Sequence, residues 1–161
     1  MIEKLYSIFL KHPLVCTDTR DIKPGSILFA LKGGNFNGNQ FAEKAIEMGC
    51  AYAVIDEENF VPKGSCGTEQ FPLGEGGRGI EEKLLLVENV LSTLQQLANH
   101  HRKQLNIPVI GITGSNGKTT SKELINAVLS KKYKVLATVG NLNNHIGVPL
   151  TIFSFDEQSD W

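Results

Sequence analysis

Apolar residues in the first part of the chain fall into two kinds of pattern. Residues 15–17 could form a short strand, and short continuous apolar runs stand at residues 27–31 and 51–55. Runs of this kind predict strands that are buried on both faces of a sheet. Two stretches carry spaced apolar positions instead, residues 2–11 and 41–48. Their spacing predicts amphipathic helices, and the polar, glycine-rich residues 33–39 predict a loop. This alternation of strand and helix indicates a small α/β domain.

The pattern changes after residue 56. Residues 57–83 are rich in glycine and show no periodicity, which predicts a flexible insertion or linker. Apolar runs then resume at 84–87, 109–112 and 134–137, and helical stripes at 90–105 and 118–129. Asn89 can cap the first of these helices, and His100 and His101 are expected on its solvated face. The order of these elements predicts the start of a second parallel sheet, and the chain therefore divides into domains 1–83 and 84–161.

Composition narrows the class of protein without naming a function. The formal charge is −1, with 41% hydrophobic and 20% charged residues, which is ordinary for a globular protein. This charge gives no basic surface for nucleic acid or an anionic membrane, and no apolar run approaches the roughly 20 residues of a membrane helix. Cys16, Cys50 and Cys66 lie far apart, so neither a disulfide framework nor a zinc site is expected. Unpaired thiols favour a cytoplasmic location.

The strongest chemical signal is the octapeptide Thr-Gly-Ser-Asn-Gly-Lys-Thr-Thr at residues 113–120. It stands between a predicted buried strand and a predicted helix, the context that a phosphate-binding loop requires. Its glycines allow the backbone to turn amide N–H groups toward an anion. Lys118 supplies a cation for the β- and γ-phosphates of ATP, and the Thr119 hydroxyl can bind Mg²⁺. The predicted ATP-binding residues are Gly114, Ser115, Asn116, Gly117, Lys118, Thr119 and Thr120.

The loop departs from the usual phosphate-loop pattern at one position. Ile112 stands where the first glycine of G-x-x-x-x-G-K-[ST] would fall. An ordinary strand-to-helix turn with an exposed lysine is the alternative interpretation. The loop indicates a nucleoside triphosphate, but it does not choose among kinase, ATPase and ligase.

Three blocks of sequence resemble one family. Residues 113–120 resemble the ATP loop of the Mur ligase superfamily. Residues 138–151 are similar to the segment that follows the second central-domain strand in the MurF branch of that superfamily. Residues 18–33, which include Asp-Thr-Arg and a Lys-Pro-Gly turn, are similar to its N-terminal uridine-nucleotide-binding domain. The blocks keep the order of the family over most of residues 15–155.

The resemblance implies an ATP-dependent ligase of peptidoglycan precursor synthesis. In that reaction ATP phosphorylates the terminal carboxylate of UDP-N-acetylmuramoyl-tripeptide, and the amine of D-alanyl-D-alanine displaces the phosphate. Lys118 would be catalytic, and together with Mg²⁺ bound at Thr119 it would offset the charge on the transferred phosphoryl group. The implied substrate-binding residues are Thr19, Arg20, Asn37, Asn39, Asn141, Asn143 and Asn144.

The same residues have simpler interpretations. Asparagines tolerate turn backbone, so the group at 141–144 could shape a turn. Thr19 and Arg20 could form a capped turn with a surface ion pair. The family often shows Asp-Gly-His where Asn37-Gly38-Asn39 stands here, and asparagine brings neither a carboxylate nor an imidazole.

The ATP-binding domain is expected to be incomplete in this chain. No acidic residue follows an apolar strand after the phosphate loop, and Asp156, Glu157 and Asp160 lie in a polar tail. We therefore expect that the chain alone does not catalyse ligation. Three other functions stay open: a MurE-like ligase, a stand-alone phosphate-loop NTPase or kinase, and a non-catalytic nucleotide-binding fragment.

Overall fold

A computed structural model of the chain describes residues 1–34, 36–60, 80–105, 107–138 and 142–155. These residues belong to two compact units, 1–97 and 98–161. Most of the predicted insertion, residues 61–79, lies outside the described residues. In the part of the chain that the structure describes, no helix is long and apolar enough to cross a membrane.

The first unit contains a four-stranded parallel sheet and helices, which agrees with the predicted α/β class, although the sequence assigned only three of these strands to the first domain. The strands of this unit, including the two of a separate hairpin, are β1 (Val15–Cys16), β2 (Ile27–Phe29), β3 (Lys32–Gly33), β4 (Phe36–Asn37), β5 (Tyr52–Ile55) and β6 (Leu84–Leu86). The helices are α1 (Ile2–Lys11), α2 (Ala42–Glu47) and the first turns of α3 (Val90–Gln104). The parallel sheet has the order β1-β2-β5-β6. Strand β6, which the apolar pattern assigned to the second domain, pairs in this sheet with β5.

Strands β2 and β5 form the centre of the sheet because their side chains are apolar on both faces. All three residues of β2 and the last three of β5 are buried. Leu28 pairs with Ala53, and Ala53 pairs in turn with Leu84. Since the four strands run in parallel, their carboxyl ends lie at one edge of the sheet. The residues that follow the strands meet at this edge, which is where ligands bind in open α/β sheets.

The loop predicted at residues 33–39 contains regular structure. Strands β3 and β4 form a short antiparallel hairpin in which Lys32 pairs with Asn37. A 3-10 turn, Gly38–Phe41, follows and leads into α2. Gly38 lies so close to the backbone that an added Cβ would stand 2.6 Å from the Leu31 carbonyl oxygen. The glycine signal therefore marks a close approach of the backbone as well as a bend.

The second unit contains the last turns of α3 together with α4 (Lys118–Leu129) and α5 (Gly147–Ile152). The helix predicted at 118–129 is confirmed. The buried strands predicted at 109–112 and 134–137 are not formed, and Val109 and Ile110 are 55% and 49% exposed. An apolar run becomes a strand only when a neighbouring strand pairs with its backbone. No segment in the described part of this unit is a strand, so that pairing is missing.

The expectation of a solvated face is wrong for His101. Its side chain is buried, and its Nε2 lies 3.1 Å from the Phe155 carbonyl oxygen. The imidazole ring also stacks against Phe153, with 6.2 Å between ring centroids. The segment that covers His101 is more than 50 residues further along the chain, so helical periodicity could not reveal it.

Candidate functional site

The phosphate loop leads into α4 with the geometry that an anion site needs. Gly117 has a φ of +76°, in the left-handed region that favours glycine, and it stands directly before α4. The first helical hydrogen bond runs from the Ser121 N–H to the Gly117 carbonyl oxygen, at 2.8 Å. The amides of residues 118–120 precede this bond and have no carbonyl within the helix to accept from them. These N–H groups and the positive end of the helix dipole favour an anion at this point.

Lys118 lies across the loop that precedes it. Its Nζ donates to the carbonyl oxygens of Gly114 and Ser115, the second at 3.3 Å. Both acceptors are neutral groups, so the positive charge of the ammonium is not cancelled by an acid there. A phosphate held by the first amides of α4 would be close to this charge, as the predicted role of Lys118 requires.

Thr119 lies in the first turn of α4, where its residue is exposed. The described residues contain no group of three or more His, Cys, Asp or Glu side chains that could hold a metal ion. Mg²⁺ bound with a nucleotide often takes few protein ligands and relies on phosphate and water oxygens. A single hydroxyl oxygen at Thr119 fits a Mg²⁺ ion held in that way.

A cavity of about 510 Å³ lies beside α4 within the second unit. Its walls are mostly apolar, formed by α4 and by residues 108–112 and 135–138. The polar residues that line it include Lys118, Thr119, Lys122, Thr138 and Asn143. The structure thus brings three predicted site residues, Lys118, Thr119 and Asn143, to one cavity.

Asn144, another predicted asparagine of this unit, forms hydrogen bonds with the backbone of the turn that follows it. The Asn144 Oδ1 accepts hydrogen bonds from the N–H groups of Ile146 at 3.1 Å and Gly147 at 2.7 Å. Asn144 therefore shapes the turn that begins α5, as the turn interpretation expected. Asn141 lies outside the described residues.

In the first unit, Asn37 and Asn39 form hydrogen bonds within the protein. Asn39 is 1% exposed, and its Nδ2 donates to Asn37 Oδ1 and to Asp56 Oδ1, both at 2.9 Å. Its Oδ1 accepts from the Asp56 N–H at 3.0 Å. The Nδ2 of Asn37 donates to both carboxylate oxygens of Glu57, at 3.1 and 3.2 Å. Asn39 thus joins the turn before α2 to the end of β5.

Lys32, Asp56 and Glu57 complete this polar cluster and were missed from the sequence. The Lys32 Nζ lies 2.9 Å from Asp56 Oδ1 and 2.7 Å from Glu57 Oε1. Burial acts to raise the pKa of Asp56, but hydrogen bonds from Lys32, Asn39 and the Val90 N–H outweigh it and leave that pKa below its ordinary value. One sequence signal was available, because Asp56 and Glu57 directly follow the buried strand β5.

Thr19 and Arg20 lie on a 3-10 turn that follows β1, at the same edge of the sheet. The Arg20 Nη2 lies 2.6 Å from Asp18 Oδ2, and its side chain is 89% exposed. The hydrogen bond from the Arg20 side chain lowers the pKa of Asp18 to about 2. The structure thus contains the capped turn and ion pair of the simpler interpretation, yet the guanidinium stays accessible to an anion.

Comparison with known proteins decides the family. Residues 13–102 match the Mur ligase family, catalytic domain, and residues 112–160 match the Mur ligase middle domain. The first match alone covers more than half of the chain. The chain belongs to the Mur ligase family.

Individual Mur ligases show how much of such a protein the chain represents. UDP-N-acetylmuramoyl-tripeptide–D-alanyl-D-alanine ligase of Bacillus subtilis is 39% identical to it over 91% of this chain and 28% of that protein. The Escherichia coli ligase of the same name is 34% identical over the same shares of the two chains. The chain thus spans about 28% of the length of these curated relatives.

Solved structures of Mur ligases agree with this relationship. MurF from Acinetobacter baumannii superposes with a TM-score of 0.73 at 31% identity, over 91% of this chain and 28% of that one. MurF from Thermotoga maritima, solved in complex with ADP, gives a TM-score of 0.72 at 26% identity, over 94% of this chain and 31% of that one. The resemblance to the MurF branch and the α/β fold are confirmed, while the roles of individual site residues stay predictions.

Proposed function

We propose that the chain forms the UDP-sugar-binding and ATP-loop portion of a ligase that joins D-alanyl-D-alanine to UDP-N-acetylmuramoyl-tripeptide. The observation that carries this proposal is the cavity beside α4, which Lys118 and Thr119 of the first turn of that helix line together with Asn143. The names of the relatives supply the two substrates, and the ADP in the Thermotoga maritima structure supports an adenine nucleotide as a ligand.

The proposal divides the work between the two predicted domains. Residues 1–83 would bind the UDP-sugar at the edge where β1, β2 and β5 end, with Thr19 and Arg20 toward the diphosphate. Arginine suits this task because its planar guanidinium can donate two parallel hydrogen bonds to phosphate oxygens. Asn37 and Asn39 would act mainly through the loop that they hold in place. Residues 84–161 would supply the ATP loop and Asn143.

The chemistry needs charge stabilisation and positioning more than a strong base. A carboxylate resists attack by an amine until one oxygen becomes a good leaving group, and phosphorylation by ATP provides that group. In the proposed reaction the first amides of α4 hold the phosphates, and Lys118 offsets charge that builds up on the transferred phosphoryl group. A Mg²⁺ ion at Thr119, when bound, would add Lewis-acid stabilisation.

Two features support a cytoplasmic location for this function. Cys16 and Cys50 are free thiols, which is typical of proteins in a reducing compartment. The proposed reaction also consumes ATP and a UDP-linked precursor. The cytoplasmic location is therefore part of the proposal.

Calorimetric titration of the whole chain with UDP tests the first of the two sites. We expect UDP to bind and Arg20→Ala to weaken that binding about tenfold, because a charge-assisted contact to the diphosphate is lost. Mg–ADP binding should be unchanged in the same variant. Lys4→Ala, a change of another exposed cation on α1, serves as the control. Absence of any heat with UDP in the wild-type chain would contradict the proposed UDP-sugar site.

A further inference from the structure

Lys122 lies one helical turn after Lys118, and its side chain is the more deeply buried of the two. Its Nζ donates to the Thr138 carbonyl oxygen at 2.7 Å and lies 2.9 Å from Glu123 Oε1. The side chain is 19% exposed. Positions four apart share one face of a helix, so Lys118 and Lys122 both line the cavity beside α4.

The carbonyl that Lys122 holds belongs to a segment without regular structure. Residues 134–138 form no strand, so they lack the ladder of hydrogen bonds that would fix them in a sheet. A charge-assisted hydrogen bond is stronger where water is largely excluded. The bond from Lys122 therefore ties α4 to Thr138, which lines the cavity together with residues 135–137.

The surroundings of Lys122 make it a poor ligand for phosphate. Its positive charge is shared with the Glu123 carboxylate, which would repel an anion. Lys118 rests instead on two neutral carbonyls. The two lysines of one helix face therefore differ in chemistry, and only Lys118 suits direct contact with the transferred phosphoryl group.

We propose that Lys122 is a positioning residue, which holds the Thr138 end of residues 134–138 against the phosphate-loop helix and so fixes that wall of the cavity which Lys118 also lines. Its effect on nucleotide binding rests on the proposed function of this loop. Its hydrogen bond to the Thr138 backbone forms within the second unit and does not depend on a bound ligand.

The test compares three variants of the whole chain labelled with ¹⁵N. Lys122→Met keeps most of the stem but removes the donor, and Lys122→Arg keeps a cationic donor. Lys131→Met changes an exposed lysine after the end of α4 and is the control. In the absence of nucleotide we expect Lys122→Met to shift the backbone amide signal of Thr138, while Lys122→Arg and the control keep it near the wild-type position.

Titration with Mg–ADP supplies the second readout. Loss of one hydrogen bond from a charged donor predicts about a tenfold weaker affinity for Lys122→Met. Lys122→Arg should recover most of this loss, which a general loss of stability would not allow. An unchanged Thr138 signal in a folded Lys122→Met chain, or a Lys122→Arg chain whose Thr138 signal departs from wild type as far as that of Lys122→Met, would overturn the positioning role. If the wild-type chain binds no Mg–ADP, the proposed ATP site fails, and the nucleotide-free spectra still decide the role of Lys122.

Discussion

At the scale of single residues, Asn39 shows how a position assigned to substrate can also be part of the protein's own framework. The sequence resemblance leads us to expect a histidine at this position, and this chain has asparagine. The amide fits because it donates to the Asp56 carboxylate and accepts from the backbone N–H of the same residue. Asp56 in turn accepts from the Val90 N–H at the start of α3. One buried amide thus connects three elements near the candidate UDP-sugar site.

Removal of this amide should destabilise the first unit. We expect Asn39→Ala to lower the free energy of unfolding by about 2 kcal/mol, because a buried carboxylate and a backbone N–H lose a partner. Urea denaturation measures the change. Asn59→Ala, at an exposed position of the 3-10 turn Glu58–Phe60, should stay within about 0.5 kcal/mol of wild type. Equal stability of the two variants would contradict the framework role of Asn39.

At the scale of elements, the turn into α4 depends on a glycine whose backbone is left-handed. A Cβ added at Gly117 would meet no neighbouring atom within 4 Å, so a larger residue would cause no steric clash there. The only unfavourable feature for a larger residue at this position is the φ of +76°. The cost of a substitution there is consequently a cost of backbone conformation alone.

The matched pair Gly117→Ala and Gly111→Ala tests that argument. Gly111 also has open space around it, but it is absent from the glycines of positive φ. We expect Gly117→Ala to cost about 1 kcal/mol of stability, in line with the penalty for an L-residue in the left-handed region. Gly111→Ala should have little effect. Similar unfolding curves for both variants would show that the turn is not held in this conformation.

The contact of α3 with the segment after α5 predicts a response to pH. Burial lowers the pKa of His101 below its ordinary value, the hydrogen bond to the Phe155 carbonyl opposes that shift, and His100 adds to it. The unfolded chain therefore takes up a proton first as the pH falls. Stability that depends on neutral His101 is present above the ordinary histidine pKa of about 6.5 and is lost as the pH decreases below it.

Hydrogen exchange of the α5 amides at several pH values measures this effect. Exchange corrected for its intrinsic pH dependence should speed up below about pH 6.5 in the wild-type chain. His101→Gln should remove that dependence, while a control at the exposed His145, His145→Gln, should retain it. A wild-type profile without any pH dependence would contradict the buried, neutral state of His101.

The same apolar pattern predicted some elements correctly and others wrongly, for a physical reason. The runs at 27–31 and 51–55 became β2 and β5 because each finds parallel partners on both sides. The run at 109–112 has a similar composition but lacks assigned strand partners among the described residues. The hairpin of β3 and β4 could not be predicted from the sequence, because a strand of two residues is too short to show an alternating apolar pattern. The local apolar pattern shows which side chains of a segment can be buried. Whether that segment becomes a strand depends on the partner strands that the rest of the fold supplies.

At the scale of the whole molecule, the chain is a portion of a Mur ligase and contains two units. The two units bury their apolar side chains to different extents. The first unit has a buried sheet with its polar cluster at one edge. The second leaves the apolar residues Leu124 and Val128 of α4 exposed. The family was predictable because it rests on contiguous motifs, and one of these motifs makes residues 113–120 a predicted phosphate loop. The Lys32, Asp56 and Glu57 cluster was not, since its members are brought together only by strand order.

The central claim is that residues 113–120 bind the phosphates of an adenine nucleotide through Lys118. The most direct test is the affinity of the whole chain for Mg–ADP and for AMP, measured by calorimetry for wild type and Lys118→Met. We predict that wild type binds Mg–ADP at least about tenfold more tightly than AMP, and that Lys118→Met removes most of this difference because the cation at the phosphates is gone. Equal affinity for the two nucleotides, or unchanged Mg–ADP binding by a folded Lys118→Met chain, would contradict the account.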